Sequence, residues 1–302
     1  MSSRFALGAL CIVGTVTIWA GWYVVIRFGL TSTSLDFEDL TALRFGVAGI
    51  LLLPVVWRRG LALDRLGWPG LLAIVLGGGA PFALLVAAGL MFAPVAHASA
   101  LTQGVIPLTI GVAAAVFLKE ALTAPKLVGF GLIVAGAVTI AGLTLAALRS
   151  RESIGHALFI GAAVLWAGYT VALRKAHLEG LHAPAIAAVA SLILYLPIYL
   201  YFRAEHLLAA PLTDLLVQGF YQGVLTAVVS LVLYSFGVAR LGASTAGAFI
   251  ALGPVVAALL AIVVLGEWPR TSDWIGIAII TVGVALASGV FPISARSAAR
   301  PP

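Results

Sequence analysis

Long apolar runs separated by short polar breaks organise this chain. The runs fall near residues 5–30, 40–57, 68–92, 96–118, 126–147, 154–174, 183–202, 213–238, 243–265 and 273–291. Each supplies about the 20 apolar residues that a helix needs to cross a hydrocarbon core of about 30 Å. The breaks carry charge: Asp36, Glu38 and Asp39 in the first, Arg58, Arg59 and Arg65 in the second, Arg149, Arg151 and Glu152 in the middle one. The runs are too long and continuous for the short alternating strands of a barrel. The pattern predicts an all-α integral membrane protein with ten transmembrane helices and no loop large enough to fold as a domain. Arg4 before the first run resembles a signal peptide, but that run continues to Leu30 and nine more follow, so it reads as a retained first helix.

Composition agrees with the pattern and narrows the function classes. Hydrophobic residues make up 62% of the 302 and charged residues 9%, with mean hydropathy +1.15. A soluble domain carries roughly 25% charge. This chain cannot coat itself for water, which excludes a soluble enzyme, a nucleic-acid binder and a receptor with a large ectodomain. The net charge of +6 is scattered between apolar runs, with no basic block. With the first residue in the cytoplasm, eleven of the 17 Lys and Arg fall on that side, Arg58, Arg59, Lys119 and Arg240 among them. Five fall on the other side, and Arg44 lies within a span. That bias puts both termini in the cytoplasm. The single cysteine, Cys11, allows no intramolecular disulfide and no cysteine-based metal site. No HExxH, GxSxG, P-loop or Cys/His cluster occurs, so no catalytic residues, cofactor or metal is expected.

An internal repeat is the most informative feature. Trp19-Ala20-Gly21 recurs 147 residues later as Trp166-Ala167-Gly168. The same shift carries Arg27 to Arg174, Pro107 to Pro254, Glu120 to Glu267, Gly129 to Gly276, Gly136 to Gly283 and Gly142 to Gly289. The second helices need a slightly different shift, from Leu53-Pro54 to Leu196-Pro197. The chain divides into residues 1–150 and 151–293, each with five helices, and a disordered cytoplasmic tail at 294–302. Five is odd, so the second half enters the membrane from the opposite side. Inverted repeats of this kind let a carrier exchange the conformations of its halves.

The residues that carry the repeat also carry a likeness. It rests on the WAG of helix 1, RFGVAGILLLP in helix 2, GLMFAPVAHASALTQGVIPLTIGVAAAVFLKEAL in helices 3 and 4, and GVARLGASTAGAFIALGPVVAALLAIVVLGEW in the second copy. The chain resembles the drug/metabolite transporter superfamily and, within it, the ten-helix EamA-type exporters, over nearly its whole length. The resemblance implies a secondary transporter in a bacterial-type plasma (inner) membrane that exports small organic solutes. Members of similar size export amino acids, other metabolites or toxic compounds, and amino acids with aromatic or hydrophobic side chains are the nearest suggestion. A channel-like facilitator and a multidrug exporter stand as alternatives.

Candidate transport residues follow from helical spacing. Thr15, Trp19, Trp22 and Ile26 share a face of helix 1, as do Ala162, Trp166, Tyr169 and Leu173 on helix 6. Mid-span tryptophans are unusual, since Trp normally sits at membrane interfaces. Trp19 and Trp166 at equivalent sites either face each other across a substrate cavity or pack helices. Helix 8 carries Gln218, Gln222, Thr226, Ser230 and Tyr234, one polar group every four residues. Such a row must meet other helices or water, and a water-filled cavity is the favoured reading over interhelical bonding. Gln103 on helix 4 is a further candidate for substrate contact, with a structural hydrogen bond as the alternative. Gly79, Pro81, Pro107 and Pro254 interrupt helices 3, 4 and 9 and serve either as hinges or as static kinks. The glycines of helices 5 and 10 suit close helix contact, as scaffold or as a homodimer interface. His97 reads as a capping or loop residue near the surface. Arg44 has three open roles: snorkelling, pairing with Asp39, or meeting a substrate carboxylate. All eleven carboxylates fall at span ends or in loops, which leaves the path to aromatic and neutral polar groups.

Overall fold

A computed structural model of the protein describes residues 3–142, 144–178 and 180–288. The expected tail at 294–302 and the end of the expected tenth helix, with Gly289, lie outside the described residues. Among the described residues, eight helices are long and apolar enough to span a bilayer. They are span 1 (Phe5–Ser32), span 2 (Phe37–Arg59), span 3 (Leu63–Gly89), span 4 (Val95–Phe117), span 5 (Ala124–Ala141), span 6 (Arg151–Lys175), span 8 (Leu212–Leu241) and span 9 (Thr245–Leu265). Span 7 is a pair, His182–Leu194 and Leu196–Ala209, bent by 59°. Span 10 is the shorter apolar helix Thr271–Ala287. The described residues thus form ten apolar helical units, five in each repeat, in an all-α membrane protein.

The outward faces show why lipid is the solvent. Leu10, Ile50, Val116, Phe117 and Val263 are all well exposed, a coat that water would penalise. Trp57 and Trp68 stand exposed at one end of the bundle, and Tyr201, Phe202 and Trp268 at the other. These are the two aromatic belts expected at the membrane interfaces. The end of the bundle where span 1 starts is the proximal end, and the end that Ser32 reaches is the distal end.

Equivalent spans of the two repeats break differently. Span 3 parts at Gly79, whose backbone is extended, and Pro81 starts the second half. The Ala80 amide freed there donates to Ser191 Oγ of span 7 at 2.9 Å, as an apolar interior requires. Its mate, span 8, stays continuous but runs as π-helix over Phe220–Val229. Spans 4 and 9 both part just before their prolines, so Pro107 and Pro254 sit in the first turn of a new helix, where no N–H is needed. Span 2 carries Pro54 inside an unbroken helix, whereas the matched Pro197 follows the bend of span 7.

Spans 5 and 10 cross through their glycines. A Cβ on Gly136 would lie 2.7 Å from the Gly276 carbonyl, and one on Gly283 would lie 2.8 Å from the Gly129 carbonyl. Only hydrogen fits at these positions. The glycine faces meet within one chain, so a homodimer through these helices would use their other faces.

Candidate functional site

The sequence-selected aromatic residues gather between the repeats, though not as a direct tryptophan pair. Trp22 of span 1 stacks on Phe82 of span 3 with centroids 5.9 Å apart. Phe82 meets Trp166 of span 6 at 5.1 Å, and Trp166 meets Tyr169 at 5.0 Å. Phe82 is therefore the bridge, and the break one turn earlier at Gly79 is what lets its short helix turn the ring inward. Periodicity gave no reason to choose Phe82, because a phenylalanine in an apolar span carries no distinguishing mark. Trp19 points elsewhere: its ring lies 5.6 Å from that of Tyr234.

The polar row of span 8 faces span 1. Trp22 Nε1 donates to Gln222 Oε1 at 3.1 Å, Gln222 Nε2 to Gln218 Oε1 at 3.0 Å, and Gln218 Nε2 to the Val25 carbonyl at 2.9 Å. Trp19 Nε1 donates to Ser230 Oγ at 2.9 Å, and Thr15 Oγ1 to the Cys11 and Ser230 carbonyls at 3.0 and 3.3 Å. Thr226 Oγ1 donates to the carbonyl five residues back, Tyr221, at 3.0 Å. That i–5 contact belongs to the π segment. Its wider turn makes every fourth residue fall back around the axis, where the flanking α-helix makes it advance. The α-helical drift of such a row is thereby offset: Gln218, Gln222, Thr226 and Ser230 are all buried, and Gln218, Gln222 and Ser230 bond to span 1. Gly21 of the WAG motif is part of the fit, since a Cβ there would lie 2.1 Å from the Tyr221 hydroxyl, which donates to Ile18 O.

Arg44 is the chief departure from expectation. Span 2 starts at Phe37, so Arg44 lies about two turns, roughly 10 Å, inside it. Its guanidinium sits 4.7 Å from the Trp22 ring centroid and 5.7 Å from that of Phe45. It does not pair with Asp39. That carboxylate is taken by the Asp36 amide at 2.6 Å, the Tyr199 hydroxyl and His206 Nδ1 at 2.9 Å. Arg44 Nη1 is buried without a hydrogen-bond partner among the described residues. Gln103 Oε1 is likewise buried and unpartnered, and its side chain fills the notch left by Gly253 at the break of span 9. Thr109 Oγ1 is engaged by the Ala163 carbonyl at 3.1 Å.

The repeat-related charges meet across the two halves. Arg27 Nε lies 2.7 Å from Glu267 Oε1 at the distal end, and Arg174 Nη1 lies 3.5 Å from Glu120 Oε1 at the proximal end. Beside the first pair opens a cleft of about 340 Å³ lined by Arg27, Phe92, Glu152, Glu267, Arg270 and Asp273 among others. His97 is buried here, not near the surface, with Nδ1 3.0 Å from His156 Nε2 and Nε2 3.1 Å from Asp273 Oδ1. No sequence signal joined these three, because they lie on spans 4, 6 and 10.

Comparison with known proteins bears on the fold and the family. A family description, the EamA-like transporter family, matches residues 6–142 and 153–289. A solved structure titled only "Crystal structure of protein" aligns over 95% of this chain and 96% of its own, at 21% identity and a TM-score of 0.55. At that identity the likeness bears on the fold alone. Among curated proteins none matches.

Proposed function

The chain belongs to the EamA-like transporter family, and from that premise we propose that it carries small organic solutes bearing a carboxylate, amino acids with aromatic or hydrophobic side chains foremost. Arg44 carries this reading. A half-buried Arg44, two turns inside span 2 and with its buried Nη1 unpartnered, lies against Trp22, at the head of the Trp22–Phe82–Trp166–Tyr169 aromatic chain. Burying a charge in hydrocarbon without a counter-ion is costly and marks a functional site. A solute carboxylate would supply the missing charge through paired N–H donors, and its side chain would lie on the rings. Gln103 Oε1, buried and unpartnered against Gly253, is a second acceptor left free for a solute donor.

Alternating access is the mechanism we assign, with export as the direction and both termini in the cytoplasm of a bacterial-type inner membrane. The two inter-repeat charge pairs support it. The distal pair is the shorter and the proximal pair the longer, as a carrier closed at one end and loosened at the other would have them. Gly79, Pro81, Pro107 and Pro254 are the proposed hinges, since the helix halves they separate share no backbone ladder. Trp19, Trp22 and Thr15 with Gln222 and Ser230 then hold span 8 to span 1 in this state and exchange those bonds for solute or water in the other, while Thr226, bonded within span 8, is a further group for solute to meet.

The test is counterflow into liposomes reconstituted with the purified protein. Labelled aromatic amino acids and their carboxamide analogues are the solutes. We expect saturable counterflow of the acids, cut at least tenfold by Arg44→Ala, with a several-fold smaller effect on the amides. Trp22→Ala should impair both. Acid flux unchanged by Arg44→Ala would sink the carboxylate assignment, and non-saturable flux would replace the carrier with a passive facilitator.

A further inference from the structure

At the distal end, a group of titratable side chains that the transport reading leaves unused converges from three spans. His97 near the start of span 4 is fully buried, and His156 of span 6 is nearly so. Glu152 stands one helical turn before His156, on the same face. One carboxylate oxygen of Glu152 and one nitrogen of each histidine all lie within 4.8 Å of one another. The two imidazoles face each other nitrogen to nitrogen, His97 Nδ1 to His156 Nε2, at 3.0 Å. Such a spacing suits a shared proton, and it is also close to the roughly 3.3 Å between two nitrogens on one tetrahedral zinc with bonds of 2.0–2.1 Å. The far nitrogen of His97 lies 3.1 Å from Asp273 Oδ1, at an angle short of a well-aligned hydrogen bond. A carboxylate behind a histidine ligand fixes its tautomer and orientation in metal sites.

The fold itself does not require these groups. Moved by the repeat shift of 147 residues, the positions of His97, Glu152, His156 and Asp273 become Ser244, Phe5, Ala9 and Lys126. The opposite end is built without them. We propose that His97, His156 and Glu152 bind one divalent transition-metal ion of the zinc class, with Asp273 as a positioning residue and the cleft as the entry path. Imidazole with carboxylate suits such ions, and three protein ligands leave a fourth position for water. Charge balances once Glu152 leaves Arg270, which now holds it at 2.7 Å. Arg270 is 68% exposed, so its release into water costs little. The neighbouring Arg27 and Glu267 offset each other, and the ion is matched by Glu152 and Asp273.

Zinc chloride titrated calorimetrically into the tag-free full-length chain in detergent, with cobalt absorption as a second readout, tests the site. We expect one ion per chain. His97→Gln, His156→Gln and Glu152→Gln should each weaken binding at least tenfold. Asp273→Asn should weaken it about 10–100-fold and change the cobalt spectrum, and Asp273→Glu should restore both. Arg270→Ala should tighten it. His206→Gln, in the separate Asp36/Asp39/His206 group, should change nothing. If His97→Gln does not fold, His156→Gln and the zinc-dependent rise in Tm of the unaltered chain decide the matter. No saturable binding, or binding that survives both His156→Gln and Glu152→Gln, would overturn the site and leave the two histidines sharing a proton. None of these readouts depends on transport.

Discussion

At the distal end Arg27 and Glu267 meet at 2.7 Å, while at the proximal end their counterparts, Arg174 and Glu120, stand 3.5 Å apart. The residue types are the same and so is the spacing in each repeat. Their surroundings differ. The distal side chains are 22% and 23% exposed, the proximal ones 48% and 43%. Arg27 also donates to the Leu90 carbonyl, and Glu267 accepts from the Val95 amide at 3.0 Å. The distal pair thus ties span 1 and the end of span 9 to the turn between spans 3 and 4. Among the described residues the side chains of the proximal pair show no such added hydrogen bonds, and they lie largely in water and salt. Attraction between identical charges is stronger where water is partly excluded, and there the added hydrogen bonds to Leu90 and Val95 make losing one partner costly, while the same charges in solvent hold little.

The comparison can be broken from three directions. The largest effect should come from the scaffold that serves both ends. Gly136→Leu would push a side chain into the Gly276 backbone, cost about 3 kcal/mol, and loosen both pairs together. A fall in Tm of several degrees in detergent is the expected result, and an unchanged Tm would mean that spans 5 and 10 are not tightly joined. Next, Glu267→Ala should cost about 2 kcal/mol, because it strips a half-buried guanidinium and the Val95 amide of their acceptor. With Cys11→Ser as background and a cysteine placed by Ala93→Cys at the cleft, Glu267→Gln should speed maleimide labelling several-fold. Equal labelling would show that the pair does not close that end. Smallest, a double-mutant cycle between Arg174 and Glu120 should return less than about 1 kcal/mol. A coupling as large as that of Arg27 with Glu267 would erase the difference between the ends.

Much of this architecture is legible in the order of residues. Apolar runs located the spans because a bilayer imposes one length on every crossing segment. The Trp-Ala-Gly and Pro repeats located the two halves because both copies solve the same packing problem. Trp22, Trp166 and Tyr169 were chosen from spacing, and they do line one aromatic chain. Spacing misled where the helix itself changes. A polar group every four residues winds slowly around an α-helix, yet Phe220–Val229 of span 8 is π-helix, and Gln218, Gln222 and Ser230 of its polar row bond to span 1. Arg44 is one turn from the start of the apolar run at 40–57 but two turns inside the helix, which begins among the acidic residues at Phe37. His97 was read as near-surface because its neighbours in sequence are at a span end, although its neighbours in space are His156 and Asp273.

By itself the sequence determined the solvent, the number of crossings and the twofold repeat. All three are properties of runs and offsets along one dimension. Tertiary structure alone decided which charges are buried, which are paired and which are left over. Glu267 and Glu120 read alike, as do Arg27 and Arg174, until the helix breaks and bends give one pair walls and leave the other in water. Arg44 likewise becomes a candidate for solute binding only because folding gives its Asp39 neighbour to His206 and Tyr199 and sets the guanidinium over Trp22. Electrostatic strength depends on distance and on the medium between charges, and neither is written in the order of residues.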